Sequence, residues 1–177
     1  MPYNSTRSAF ETFRDGGSTL DMSMMIKLTL CVRGFRGKLD EKLRKIGQST
    51  SRMETLAAIM NMQGPKSQSD VAKRLQVEGA TVTRMVDILS KEGLVERKPA
   101  PNDRRVNLLS ITAEGEKAMQ EIFVVYDEWR NHCLTDFSSD DMRDMHRLLN
   151  MLLGRLDNPE AAAMQIEDLP KVDPIAD

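Results

Sequence analysis

Leu28, Val32, Phe35, Leu39, Leu43 and Ile46 recur at three- and four-residue steps, the stripe of an amphipathic helix. The spacing predicts that helix from about residue 20 to Gly47, a residue type that closes helices. Its length exceeds what a small core needs. Ser51-x-x-Glu54 reads as a capping box for a second helix burying Met53, Leu56, Ala57 and Met60, with Gly64-Pro65 as its stop. Ser67-x-x-Asp70 opens a short third helix with Val71, Ala72 and Leu75 inward. A fourth begins near Gly79 and ends at Gly93. Val82, Met85, Val86 and Leu89 form its buried i, i+3, i+4, i+7 set, which turns Ala80, Thr83, Arg84, Asp87 and Lys91 outward and leaves Thr81 on the flank.

Residues 94–98 and 106–112 then read as two strands around a Pro99-Ala100-Pro101-Asn102 turn. Thr112 can cap a fifth helix with Glu114 and Glu116 in its first turn, where acids suit the helix dipole. That helix is apolar on two sides: Ala118, Ile122, Val125 and Trp129 on one, Met119, Phe123 and Tyr126 on the other. Both sides need covering, and a single small domain rarely supplies that. Ser138-x-x-Asp141 caps a sixth helix carrying Met142, Met145, Leu148, Leu149, Leu152 and Leu156. The expected organisation is a polar N-terminal arm at 1–19, a long helix at 20–48 and a winged lobe at 49–112. Two helices follow at 113–156, then an acidic, Pro-containing irregular tail at 157–177.

Two short helices followed by a basic hairpin form a winged helix-turn-helix, so the fold class expected is mainly α with a small β-hairpin wing. Charge supports a nucleic-acid partner only locally. The 177-residue chain has a net charge of −2. Residues 66–112, however, carry nine basic against six acidic side chains, while 113–177 carry 15 acidic against six basic. A basic patch matters more for phosphate contact than the overall balance, so the acidic third is expected to lie away from DNA. No apolar run approaches the roughly 20 residues that span a bilayer, and no secretory leader pattern is evident. A cytoplasmic protein without membrane contact is the expectation.

The chemistry expected on this frame is recognition. No nucleophile–base pair, paired-carboxylate framework or glycine-rich phosphate loop stands at a specific spacing, so no enzyme and no cofactor is expected. Cys31 and Cys133 form neither a metal-type spacing nor a disulfide framework, and adjacent His132 and Cys133 point in different directions on a helix, so no metal site is expected. Cys31, well inside the first helix among apolar neighbours, reads as a buried, inert thiol. The 13 methionines suit ordinary core filling and equally a cleft that repacks around apolar ligands.

DNA-binding candidates are Thr81, Thr83 and Arg84 on the fourth helix, where recognition helices present side chains to base edges, with Arg84 reading a guanine or holding a phosphate. Asp103, Arg104 and Arg105 tip the hairpin and could reach the minor groove; otherwise they are a surface turn with an exposed ion pair. Gln68, Ser69, Lys73 and Lys98 are candidate phosphate contacts, with Lys66 and Arg97 weaker ones. Arg33, Arg36 and Met53 would meet if the first helix packs over the start of the second. An arginine beside apolar groups suits an aromatic carboxylate, while solvated or ion-paired arginines are the plainer reading.

The order Leu-x-x-x-Gly-Leu-Val-x-Arg from Leu89, then Asp103-Arg104-Arg105, a strand closing in Ile111-Thr112 and a helix opening Ala113-Glu114-Gly115 resembles the MarR/SlyA family of bacterial transcriptional regulators. The likeness covers roughly residues 25–155 and is sharpest over 93–115. Met53 departs from it, standing where many members carry an aromatic, and both tails are long. The resemblance implies a dimerisation lobe made by the terminal helices, a homodimer on pseudo-palindromic double-stranded DNA, and most often repression. A small aromatic or phenolic acid would be the effector. It implies that Asp103 orients Arg105 and that Arg105 enters the groove. It also moves the cap of the second helix to Ser49, and the residues alone leave Ser49 and Ser51 both open. A constitutive DNA-binding protein without effector, or a winged-helix module for protein contact, are the alternatives.

Overall fold

The computed structural model describes residues 8–64 and 66–156; the expected tail at 157–177 and the first seven residues of the arm lie outside the described residues. The chain divides into two compact units with the boundary between Arg130 and Asn131. In the first, the polar arm contains a helix that the hydrophobic pattern did not indicate. This is α1 (Ala9–Arg14), opened by a reciprocal capping box between Ser8 and Glu11. The Ser-x-x-Glu signal for it is present in the sequence.

Helix α2 (Leu20–Arg44) ends as its glycine predicts. Gly47 adopts φ 69°, and the next amide, Gln48 N–H, donates back to the Leu43 carbonyl at 2.9 Å. Its stripe is covered best in the middle: Leu39 and Leu43 are buried and Leu28 and Phe35 half-buried, whereas Val32 is 59% exposed and Ile46, past the end of the helix, is exposed. At the following corner the Ser49 Oγ accepts from the Arg52 amide at 3.3 Å, which makes Ser49 the cap of α3 (Thr50–Asn61). Asp40 of α2 accepts from both the amide and the hydroxyl of Thr50, at 3.0 and 3.1 Å, and so pins the corner. The core face of α3 centres on Leu56 and Ile59 with Thr55 and Ala58, and Met53 and Ala57 pack at its edge. Met60 sits one residue past that face, about 100° around the helix, and is exposed, contrary to the inward position expected for it.

Helices α4 (Gln68–Leu75) and α5 (Gly79–Lys91) follow the predicted pattern, with Val71, Ala72, Val82, Val86 and Leu89 buried and Leu75 and Met85 packed against them. Between them Gln76 takes the left-handed conformation, φ 53°, that reverses the chain. Strands β1 (Val95–Ala100) and β2 (Asp103–Ile111) pair antiparallel from Val95↔Ile111 to Pro99↔Asn107. A register shift then brings Ala100 opposite Asp103. The strands are therefore longer than the pattern indicated and the turn is only Pro101-Asn102. Pro99 is tolerated because, among the described residues, β1 pairs only with β2 and its other edge is unpaired. The Leu109 amide donates to the Lys66 carbonyl at 2.7 Å and Ser67 bridges Leu108, so the segment before α4 is tied to the wing.

Helix α6 (Ala113–Leu134) starts against the base of the wing. Thr112 Oγ accepts from the Gly115 amide at 3.0 Å and donates to the Gly93 carbonyl at 2.6 Å. A Cβ at Gly115 would lie 2.2 Å from the Leu94 carbonyl oxygen, so only glycine permits this approach. Ala118, Met119 and Ile122 are buried, and Trp129 donates its indole N–H to the Phe35 carbonyl at 3.2 Å. The opposite flank leaves Phe123 and Val124 exposed. In the second unit, α7 (Ser139–Arg155) opens on the predicted Ser138/Asp141 capping box and has no buried residue. Met142, Met145, Leu148 and Leu149 are all exposed along it.

Candidate nucleic-acid interface

The outward side of the helix–turn–helix begins at α4. Ser67 and Asp70 bond reciprocally there, the Ser67 amide donating to the Asp70 carboxylate at 2.9 Å and the Asp70 amide to Ser67 Oγ at 3.2 Å. The Ser67 hydroxyl, then its amide, hold the Asp70 carboxyl below its usual range, with Lys73 contributing least. A groove of about 880 Å³ separates the exposed sides of α4 and α5. Gln68, Ser69, Lys73, Thr81 and Thr83 all line it, so half of the ten residues singled out for DNA contact share one surface.

Thr83 and Arg84 are exposed on the first two turns of α5, as the periodicity requires. Thr83 donates its hydroxyl to the Gly79 carbonyl at 3.0 Å. Arg84 has no acidic partner among the described residues. Asp87, one turn further, is taken by Arg97 of β1 in an ion pair that straps the wing to α5. That pairing gives Arg97 a structural task. Lys98 is exposed and paired with Glu96 at 2.6 Å, and the Ser110 hydroxyl donates to the same carboxylate oxygen at 3.0 Å. Lys98, then Ser110, lower the Glu96 carboxyl. The backbone of Asp103, Arg104 and Arg105 opens β2 immediately after the turn, at the tip of the hairpin.

Sequence reasoning missed a second strap. Arg52 of α3 is largely buried and donates Nη1 to Glu92 Oε1 at 2.8 Å and Nε to Gln48 Oε1 at 2.8 Å, while Nη2 meets the other Glu92 oxygen. Glu92 is the C-cap residue of α5. No local pattern signals a pair 40 positions apart.

The three ligand candidates are only partly brought together. Arg36 and Met53 line one apolar cleft of about 360 Å³ with Cys31, Val32, Phe35 and Leu39. Arg33 lines an adjoining cleft with Arg36 and Thr50. Arg36 is not free: it pairs with Glu54 at 2.7 Å. Cys31 is exposed at the rim, not buried as expected, because its neighbours Leu30 and Val32 are themselves uncovered. Among the described residues no group of His, Cys, Asp and Glu converges as a metal site, and no helix is long and apolar enough to cross a membrane.

A groove-forming helix pair, an outward Thr and Arg on its second member and a hairpin strapped to that helix define a winged helix-turn-helix DNA-binding protein. Residues 50–106 match the MarR family model. The chain is 32% identical over 136 residues to the uncharacterized HTH-type transcriptional regulator YwoH of Bacillus subtilis (strain 168), an alignment spanning 77% of this chain and 98% of that protein. It belongs to the MarR family of transcriptional regulators. Among solved structures it resembles the transcriptional regulator BldR from Sulfolobus solfataricus, with a TM-score of 0.68 and 26% identity over 76% of this chain and 95% of that one. The fold also matches S. aureus MepR, solved as a DNA complex, with a TM-score of 0.67 and 21% identity over 78% of this chain and 100% of that one.

Proposed function

We propose that this regulator is a homodimeric repressor that binds a pseudo-palindromic operator in the cytoplasm and releases it when a small aromatic or phenolic acid binds. The observation that carries the DNA reading is the exposed Thr81, Thr83 and Arg84 face of α5 beside the hairpin strapped to it by Asp87 and Arg97. Thr81, Thr83 and Arg84 take the major-groove edges; Gln68, Ser69 and Lys73 hold phosphates along the α4 side. Asp103 orients Arg105 into the minor groove, with Arg104 and Lys98 on the flanking backbone, Lys98 leaving Glu96 to do so. MepR, whose fold this chain shares, was crystallised with DNA.

The dimer reading rests on apolar surface that one chain leaves open: Leu30 and Val32 on α2, Phe123 and Val124 on α6, and Leu148 and Met151 on α7. Residues 20–48 and 113–156 supply that lobe. The effector reading rests on the apolar cleft that Arg36 and Met53 line, with Arg33 beside it.

Titrating a duplex at several salt concentrations tests the DNA reading. Affinity should fall steeply with salt, and Arg105→Ala should weaken binding by about 1–3 kcal/mol with the fold intact. Binding that ignores salt, or an Arg105→Ala protein with full affinity, contradicts it.

A further inference from the structure

Two clefts in the unit that ends at Arg130 meet at a single ion pair. The apolar cleft of about 360 Å³ lies between α2 and α3, with Val32, Phe35, Leu39 and Met53 on its walls. A second, of about 380 Å³, lies under the helix–turn–helix, walled by Leu75 of α4 and by Thr81, Val82 and Met85 of α5. Arg36 and Glu54 line both, Nη1 to Oε1 at 2.7 Å. The pair is a partition between a cleft of ligand size and a cleft that touches the first turns of the recognition helix.

The charges around Glu54 are few. Arg36 comes from α2 and Arg74 from α4, while Ser51 and Thr55 of α3 and Thr81 and Met85 of α5 bring none. Arg33 and Asp40 line the neighbouring cleft, and Asp40 is engaged by Thr50 and Arg44. Burial pushes the Glu54 carboxyl above its ordinary value even with Arg36 opposing that rise. Taking Arg36 away raises it further.

We propose that the Arg36–Glu54 pair is an exchangeable lock: the carboxylate of an apolar acid entering the α2–α3 cleft replaces Glu54 on the Arg36 guanidinium, and the displaced Glu54 takes up a proton. This rests on the effector reading above. The exchange balances. One ligand anion and one solvent proton enter, Arg36 keeps its charge with the ligand as counter-ion, one O–H bond forms on Glu54, and nothing is oxidised or reduced. The neutral Glu54 no longer ties α3 to α2 by an ion pair and is free to turn into the cleft that Arg74, Leu75, Val82 and Met85 line. That gives the ligand a direct mechanical route to α5. Because a proton enters with the ligand, binding must tighten as pH falls.

Calorimetry of the full chain with benzoate, repeated in buffers of different ionisation enthalpy at several pH values between about 5 and 7, measures the proton directly. The expected result is net proton uptake on benzoate binding. Glu54→Gln, which cannot hold Arg36 as an anion, should bind benzoate about three- to tenfold more tightly with no proton uptake. Benzamide, the neutral analogue, should take up none with either protein. Benzoate binding to the wild-type chain without proton uptake overturns the exchange and leaves the cleft standing as an effector site, as does weaker binding by Glu54→Gln. Failure of benzoate to bind either protein overturns both. The wild-type proton count decides the matter even if Glu54→Gln does not fold.

Discussion

Arg84 and Arg97 both stand beside the proposed DNA surface, and their surroundings divide the work between them. Arg97 is committed to Asp87, while Arg84 is exposed and has no acidic partner among the described residues. A fork that is not spent inside the protein can read a guanine edge in bidentate fashion. Arg84→Ala should therefore change which duplexes are preferred in a binding selection, whereas Lys73→Ala should weaken all duplexes evenly and flatten the salt slope by about one unit. An unchanged preferred site with weaker binding would assign Arg84 to a phosphate. The outward positions of Thr83 and Arg84 were legible in the sequence because helical periodicity alone decides them. The fates of Arg97, Arg36 and Cys31 were not. An ion pair such as Arg97 with Asp87 or Arg36 with Glu54 depends on how elements dock, and Cys31 is exposed on a part of α2 that little covers among the described residues.

Among the elements, the α5 helix is held at its C-terminal end by Arg52. A carboxylate at Glu92 opposes the helix dipole, and the Arg52 fork compensates it. Hydrogen bonding by Arg52 holds the Glu92 carboxyl below its ordinary value; the Thr50 amide does the same for Asp40 and the Ser67 hydroxyl for Asp70. A carboxyl depressed in the folded state adds stability that is complete above its unfolded value and is lost as pH falls through the folded one. Glu54, raised by burial, runs the other way, its contribution complete at low pH and lost as pH rises through its folded value. Acid should thus destabilise the fold below about pH 4, where carboxylates ordinarily titrate. Arg52→Gln should lower the melting temperature at neutral pH and remove part of that acid branch. Glu92 is nearly half exposed, so screening limits the loss to about 1 kcal/mol or less. An acid branch identical to that of the wild-type chain would show that the strap carries no stability. The helix starts at Ser67 and Ser138 were legible because both capping boxes are local, their two ends three positions apart. The Arg52 strap and the extended hairpin, by contrast, required knowledge of which elements meet.

For the whole molecule, the surplus of apolar positions was visible before the fold. Of the two apolar sides expected between 118 and 129, Ala118, Met119 and Ile122 are buried, Val125, Tyr126 and Trp129 half-buried and Phe123 exposed, while Met142, Met145, Leu148 and Leu149 are exposed along α7. A second copy of the chain is the occupant proposed for these faces, and two recognition helices related by a two-fold axis must read two half-sites about one helical turn apart. Repression was legible only through the family resemblance, and the effector only as a class, because where operators lie and which small molecule binds are named by no residue pattern. The central claim is sequence-specific reading by a symmetric pair of winged helices, and selection of duplexes from a random library by the full chain tests it most directly. The account predicts enrichment of a two-fold symmetric site with half-site centres roughly 10 base pairs apart. Recovery of no preferred sequence, or of a site without symmetry, would contradict it.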